Sequence, residues 1–343
     1  MPQEFTDRPR LLLDESPLLG PAAGRGLGRY VAALSEGLEH LGSLERVSLP
    51  PRSGRYAEFL DLLPRARLLG RQADVVITPT AYQATFVRGA WICAVLDVIP
   101  LDMPEYRRTG AKAKLFHRLA ARADVVLTLS EHAAGRITST LGVPPARIVV
   151  APLPVPAGVG AEHAKPELPP GLPEDQYLLA QADLRAPDQR KRIDWLVQVA
   201  AGVDVPLVLV GDGTKDALEG VHGLGRVDDA TWSTLLARAV AFVSTSAYEG
   251  QGLPVLEAMS CGCPVVAMDN TAVPEVVGDA GVLVGEGPDA LEGLVEACRS
   301  LIEDEATRAV LRARGLERAA LFNSAAFADR LSVAVAQALA SRS

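Results

Sequence analysis

Ten short apolar runs, separated by stretches of helical composition, constrain this chain more than any other feature. They are Arg10–Leu13, Val75–Ile77, Trp91–Pro100, Val125–Leu129 and Ile148–Val150, then Tyr177–Ala182, Pro206–Gly211, Val240–Val243, Pro264–Met268 and Val282–Val284. Strands that are apolar throughout need cover on both faces, and intervening helices supply it. The alternation therefore predicts α/β architecture with parallel, doubly wound sheets. Between the two sets, Pro152, Pro154, Pro156, Pro166, Pro169, Pro170 and Pro173 crowd together, a composition that reads as a linker. A first domain over residues 1–158, a proline-rich linker over 159–174, a second domain over 175–324 and a C-terminal helix over 325–343 are expected. At 343 residues, with no repeat of solenoid period, two domains are the natural count.

Composition excludes several classes. Apolar residues make up 48% of the chain and charged residues 22%, which supports substantial cores and argues against disorder. No apolar run approaches the ~20 residues of a membrane-spanning helix, and the opening MPQEFTDRPR is too polar for a signal peptide. Cys93, Cys261, Cys263 and Cys298 lack zinc-ligand spacing. Cys261 and Cys263 stand too close for an ordinary disulfide framework, so a reducing cytoplasm is the expected setting. His40, His117, His132, His163 and His222 form no ligand cluster, and neither a bound metal nor a nucleic-acid partner is expected. Charge is uneven: residues 1–160 carry 19 Lys and Arg against 15 Asp and Glu, and the remainder 15 against 27. The first half is thus suited to an anionic partner, ordinary surface variation being the plainer explanation. A candidate helix from Gly110 to Arg122 sets Lys114, Arg118 and Arg122 at intervals of four, either a solvated face or a contact for an anionic or membrane surface.

The stretch most suggestive of chemistry is Ser244–Pro264, STSAYEGQGLPVLEAMSCGCP. An apolar run is followed by Gly250 and Gly252 and then by helix-forming residues, with Pro254 suited to the first turn and Gly262 and Pro264 to the stop. Strand, glycine loop and helix N-terminus make an anion site, because backbone N–H groups converge there and the helix dipole favours negative charge. Glu249 and Glu257 flank it. Carboxylates repel phosphate and therefore need other partners, for which sugar hydroxyls are suited. A nucleotide with sugars on both sides of a diphosphate fits. Gly26-Leu27-Gly28-Arg29-Tyr30 forms a second glycine loop before a helix, without the spacing of the dinucleotide fingerprint.

Tyr248-Glu249-Gly250-Gln251-Gly252-Leu253-Pro254-Val255-Leu256-Glu257-Ala258-Met259 resembles the Glu-seven-residues-Glu signature of the retaining GT-B glycosyltransferases of family four, the group 1 glycosyl transferases. The resemblance extends over nearly the whole chain, most strongly from Leu207 to Gly285. It implies two Rossmann-like domains facing each other across a cleft, with the first binding the acceptor and the second the nucleotide sugar. The C-terminal helix is expected to pack back on the first domain. The activity implied is transfer of a hexosyl, deoxyhexosyl or pentosyl group from a nucleoside-diphosphate donor to an acceptor hydroxyl, with retention and without metal.

In that scheme Glu249 approaches the donor sugar, backbone amides at Gly250, Gln251, Gly252 and Leu253 hold the diphosphate, and Glu257 binds the ribose. Lys191 clasps the diphosphate, with Arg185 as second choice because the customary Arg position is occupied by Asp183. Gly211, Gly213, Arg226 and Val227 bound the base pocket. Gly26, Leu27 and Gly28 reach the cleft, and Leu129-Ser130-Glu131-His132 resembles a strand-to-helix step into it. Gln251 stands where the family usually has Phe.

Ala94-Val95-Leu96-Asp97-Val98-Ile99-Pro100, with Pro104-Glu105-Tyr106, looks like a mannosyltransferase-rich subgroup and makes Asp97 a candidate catalytic residue. Leu96 takes the place of a His that contacts the sugar 6-hydroxyl, so a 6-deoxyhexose or pentose donor is expected, with GDP-mannose as runner-up. No nucleophile and base pair is evident, and the resemblance implies a front-face substitution. The acceptor would be a glycan, a lipid-linked saccharide or a small aglycone, and the setting cytoplasmic with possible contact at the inner membrane face. A catalytically silent GT-B-fold partner protein is the rival, kept open by Leu96, Gln251 and Asp183.

Overall fold

The computed structural model describes residues 8–19, 26–48, 73–81, 89–103, 107–165, 167–168, 172, 176–185, 188–216 and 220–342, with backbone alone over 107–112. Pro104-Glu105-Tyr106, Gly24 and the Ala186-Pro187 step of the expected cation loop lie outside these residues. The chain forms two compact units. One runs to Pro154 and resumes at Asn323; the other is Val155–Phe322.

In the first unit the order is β1 (Arg10–Asp14), α1 (Gly26–Glu39), β2 (Ser43–Val47), β3 (Val75–Thr78), β4 (Ala90–Ala94), α2 (Ile99–Asp102), α3 (Arg107–Ala120), β5 (Val125–Thr128), α4 (Glu131–Leu141) and β6 (Ile148–Val150). Its six strands are parallel in the order β2-β1-β3-β4-β5-β6. β3, β4 and β5 are buried at every residue, as strands covered on both faces must be.

The second unit contains β7 (Leu178–Gln181), α5 (Ile193–Ala201), β8 (Leu207–Val210), β9 (Val221–Gly225), α6 (Asp229–Arg238), β10 (Ala241–Ser244), α7 (Leu253–Ser260), β11 (Val265–Asp269), α8 (Val273–Val277), β12 (Val282–Gly285), α9 (Ala290–Glu303) and α10 (Glu305–Ala319). Its parallel order is β12-β11-β10-β7-β8-β9. The last helix, α11 (Ser324–Ala340), belongs to the first unit. There it lies so close to α1 that a Cβ on Gly37 would stand 2.7 Å from the Leu331 side chain. Asn323 starts α11 by accepting the Ala326 N–H, and Arg342 beyond its end pairs with Asp124 at 3.0 Å.

The structure departs from the sequence reading in three places. β2 and β9 were not expected. Both are edge strands, and SLERV and VHGLG carry charge or glycine because an edge need not be buried on both faces. The Trp91–Pro100 run is strand only to Ala94; Asp97 then accepts the Ile99 N–H at 3.1 Å and turns the chain into α2, with Pro100 in its first turn. Finally, the proline-rich stretch expected as a linker belongs to the second unit. Val159 is buried in that unit's core with Leu168 and Leu172 against it, and the Gly160 and Lys165 amides donate to Ser233 Oγ (3.3 Å) and Thr234 Oγ1 (2.7 Å) of α6.

Candidate functional site

Strand order decides where a ligand can sit in each unit. In the second, β7 and β10 are neighbours, and the chain proceeds outward from them in opposite directions. At such a switch point the loops leaving the two carboxyl ends diverge and open a crevice. Gln181 at the end of β7 and Lys191 beyond it, with Ser244 at the end of β10 and Thr245, Glu249 and Gly252 beyond it, line a pocket there.

The two loops are stitched together before any ligand arrives. The Ala247 N–H donates to the Arg190 carbonyl at 2.7 Å, Arg190 Nη1 donates to the Tyr248 carbonyl at 3.1 Å, and Thr245 Oγ1 donates to the Lys191 carbonyl at 2.6 Å. Asp188 caps the turn by accepting the Arg190 N–H and its guanidinium, leaving Lys191 and Glu249 side by side with Nζ 2.6 Å from Oε1. Glu249 is only 9% exposed. Burial alone would push its carboxyl up, yet Lys191, Arg190 and a hydrogen bond from Ser246 outweigh that and hold it below the usual carboxylate range. The pair is charged, preformed and largely buried, Lys191 being the more exposed member.

Gly252 begins α7 at φ 93°, a left-handed conformation that glycine adopts at no steric cost, and no side chain caps the helix. Within α7, Glu257 is 2% exposed and accepts the Trp232 Nε1–H at 2.7 Å through Oε2. Trp232 in turn meets Phe242 edge to face, with centroids 6.0 Å apart. Trp232→Phe keeps an aromatic ring of smaller size and removes the donor, so it is expected to destabilise the protein by ~1–3 kcal/mol through the lost hydrogen bond to a buried carboxylate and the space left by the indole. Urea unfolding measures this, and an unchanged midpoint would deny the bond its importance.

The other expected site residues are distributed as follows. Gln251 is buried beside Gly250. Leu253 packs partly buried against the core. Arg185 is exposed and faces Asp212, with Nε 3.6 Å from Oδ1, while Lys191 alone of the two joins Glu249. Gly211 and Gly213, at φ 141° and 78°, form a loop tied to β9: the Gly211 N–H donates to the Gly225 carbonyl at 3.0 Å, and Thr214 Oγ1 accepts the Gly225 N–H at 2.8 Å. Beyond β9, Arg226 is exposed and Val227 half-buried. On the first unit, Gly26, Leu27 and Gly28 form the first turn of α1, and Asp97 is half-buried at the start of α2. All four cysteines are free and buried; burial pushes the Cys261 thiol up to about 11, which keeps it protonated and a poor nucleophile.

Sequence reasoning missed Trp232, Thr245, Asn270 and Thr271. The one signal for the last two is the polar Asp269-Asn270-Thr271 step at the carboxyl end of an apolar strand, where side chains face the crevice end of a parallel sheet.

Residues 175–304 match the family model described as Glycosyl transferases group 1. The chain is 32% identical over 255 residues to the O-antigen chain mannosyltransferase B of Escherichia coli, covering 66% of this chain and 65% of that one. Over 236 residues it is 28% identical to the GDP-mannose-dependent monoacylated alpha-(1-6)-phosphatidylinositol monomannoside mannosyltransferase of Corynebacterium glutamicum, covering 60% of each. This chain therefore spans somewhat less than two thirds of either relative. Sucrose-phosphate synthase from Thermosynechococcus elongatus superposes with a TM-score of 0.75 at 20% identity, over 97% of this chain and all of that one. The fold is GT-B, as the resemblance implied.

Proposed function

We propose that the chain is a glycosyltransferase that moves a sugar from a nucleoside-diphosphate donor to an acceptor hydroxyl with retention, a reading supported by the match of residues 175–304 to the group 1 glycosyl transferase model. The observation that carries this reading is the Lys191–Glu249 pair at the switch point, beside the start of α7. A diphosphate placed against α7 would draw Lys191 off Glu249 and release that carboxylate for hydroxyls of the donor sugar. Lys191 and the amides from Gly250 to Leu253 then stabilise the charge that develops on the departing diphosphate. Glu257, fixed by Trp232, holds the ribose, and the Gly211–Gly213 loop with Arg226 and Val227 bounds the base. With a cation and a helix end in these places, the departing phosphate oxygen can accept the acceptor's proton, and no divalent ion is required.

The donor we favour is a mannosyl nucleotide, in keeping with the names of both relatives. A second reading rests on Leu96, half-buried where β4 ends, its carbonyl 3.5 Å from Thr128 Oγ1. An apolar side chain beside the sugar leaves a 6-hydroxyl unpaired at ~1–3 kcal/mol, which favours 6-deoxyhexoses or pentoses. The acceptor, a glycan, lipid-linked saccharide or small aglycone, falls to the first unit. On that unit, exposed Lys114, Arg118 and Arg122 flank an exposed Leu115 on and just beyond α3, suited to the anionic inner face of a membrane from the cytoplasm. Among the described residues no helix is long and apolar enough to cross a membrane.

One experiment tests these readings together. Pure protein is offered mannose, fucose, rhamnose and xylose nucleotides, with and without EDTA, and nucleoside diphosphate release is followed. Turnover that survives EDTA is expected; loss restored by magnesium or manganese would remove the metal-free scheme. No release from any donor, with or without acceptors, would favour a silent binding protein. A lead in kcat/KM for mannose excludes the Leu96 reading. A lead for 6-deoxy donors, at most ~100-fold because a hydrophobic pocket rejects a hydroxyl weakly, should shift back toward mannose in Leu96→His.

A further inference from the structure

Among the described residues, two that are not glycine have left-handed backbones, Arg192 at φ 44° and Thr271 at φ 48°. They lie on different loops, after β7 and after β11, and both adjoin the Lys191–Glu249 pair. Arg192 follows Lys191 directly, and Thr271 Oγ1 accepts the Glu249 N–H at 3.0 Å. A β-branched residue at positive φ is disfavoured and persists where surrounding bonds over-determine it.

Those bonds form one chain. Thr271 Oγ1 donates to Asn270 Oδ1 at 3.2 Å, and Asn270 Nδ2 donates both to the Ser246 carbonyl at 2.9 Å and to Glu286 Oε1 at 2.6 Å. The other oxygen of Glu286 accepts from Arg192 Nη2 at 3.0 Å. One end of the chain holds the backbone amide of Glu249, and the other is Arg192, next in sequence to Lys191. The loop bearing Glu249 is held twice from the loop after β11, at the Ser246 carbonyl and at the amide of Glu249 itself.

We propose that Thr271, seconded by Asn270, is a positioning residue that sets the placement of Glu249 for the transfer step. This rests on the reading of Glu249 as the carboxylate that meets the donor sugar. Thr271 is joined to Arg192 by three hydrogen bonds that run through Asn270 and Glu286, so the two left-handed residues belong to one network. Losing the hydroxyl would let the Glu249 amide and carboxylate drift while leaving Lys191 and the start of α7 free to bind diphosphate. The damage should fall on kcat more than on KM.

Thr271→Ala and Thr271→Ser separate the hydroxyl from the methyl. In Thr271→Ala, kcat for donor turnover is expected to fall at least tenfold with KM within threefold of wild type, and in Thr271→Ser to stay within threefold of wild type. Hydrogen exchange at the Glu249 amide supplies an arm that needs no turnover: at least tenfold faster in Thr271→Ala and unchanged in Thr271→Ser. Equal kcat in all three proteins overturns the proposal, as does a loss in the Ala variant that Ser fails to restore. If wild-type protein releases nucleoside diphosphate from no donor, the glycosyltransferase reading falls by itself and exchange alone decides the clamp. Equal exchange in the three proteins then overturns it, and acceleration confined to Thr271→Ala upholds it.

Discussion

Lys191→Met is expected to lose both stability and donor affinity, and adding Glu249→Gln to restore the first without the second. Removing one partner of a buried ion pair strands the other charge, at a cost of ~3–5 kcal/mol when the pair is fully enclosed. Lys191 here is 26% exposed, and Arg190 remains near Glu249, so a loss of about 2 kcal/mol is expected in urea unfolding. In the double variant no charge is stranded, and the loss should shrink below ~1 kcal/mol. Donor affinity behaves differently, because the cation that meets the diphosphate is gone from both proteins. A charged hydrogen-bonding partner contributes ~1.5–3 kcal/mol, about 10- to 150-fold in Kd by calorimetry. A Lys191→Met protein as stable and as tight-binding as wild type would discard the pair as a functional element.

The same pair sets a pH dependence. Glu249 titrates below its ordinary value in the folded protein, so its favourable contribution is complete above the unfolded carboxylate's range and is lost as pH falls through the lowered folded value. Without Lys191, burial is opposed only by Arg190 and the Ser246 hydrogen bond, and protonation relieves an ill-paired charge. The stability gap between Lys191→Met and wild type should therefore narrow on acidification.

Gly211→Ala is expected to be among the most destabilising single methyl additions in the second unit. A Cβ there would lie 1.8 Å from the Ala182 carbonyl oxygen, at a φ of 141° that side chains other than hydrogen rarely allow. Neither group can yield easily. Ala182 donates its N–H to the Val210 carbonyl at 3.0 Å, and Gly211 donates its own to the Gly225 carbonyl at 3.0 Å. The expected loss is ~3 kcal/mol or more, together with displacement of the loop assigned to the nucleotide base. Gly135→Ala makes the control: it lies inside α4, nothing stands within 4 Å of its would-be Cβ, and it should gain ~0.5–1 kcal/mol. Thermal unfolding of the two variants checks both signs, and equal effects would refute the steric argument.

What the chain announces by itself is what local chemistry controls. Strands such as AWICA and AFV of β10 are apolar at every position because helices bury both their faces, and that burial is written residue by residue. The start of α7 is equally local: a left-handed Gly252 and Pro254 in the first turn break the strand and begin the helix wherever they occur. Glu249 and the pair of glycine loops could thus be singled out before any fold was known, and Lys191 through the family resemblance. The edge strands β2 and β9 could not, since an edge is defined by having a neighbour on one side only, and SLERV differs little from a loop. Nor could the pairing of Lys191 with Glu249, 58 residues apart, because it follows from β7 and β10 being adjacent, a matter of strand order. Trp232 beneath Glu257, and Thr271 and Asn270 beneath Glu249, are likewise supplied by other loops and helices. Such partners are chosen by distance in the folded chain, and single side-chain hydrogen bonds of about 1 kcal/mol leave no periodic trace in a sequence.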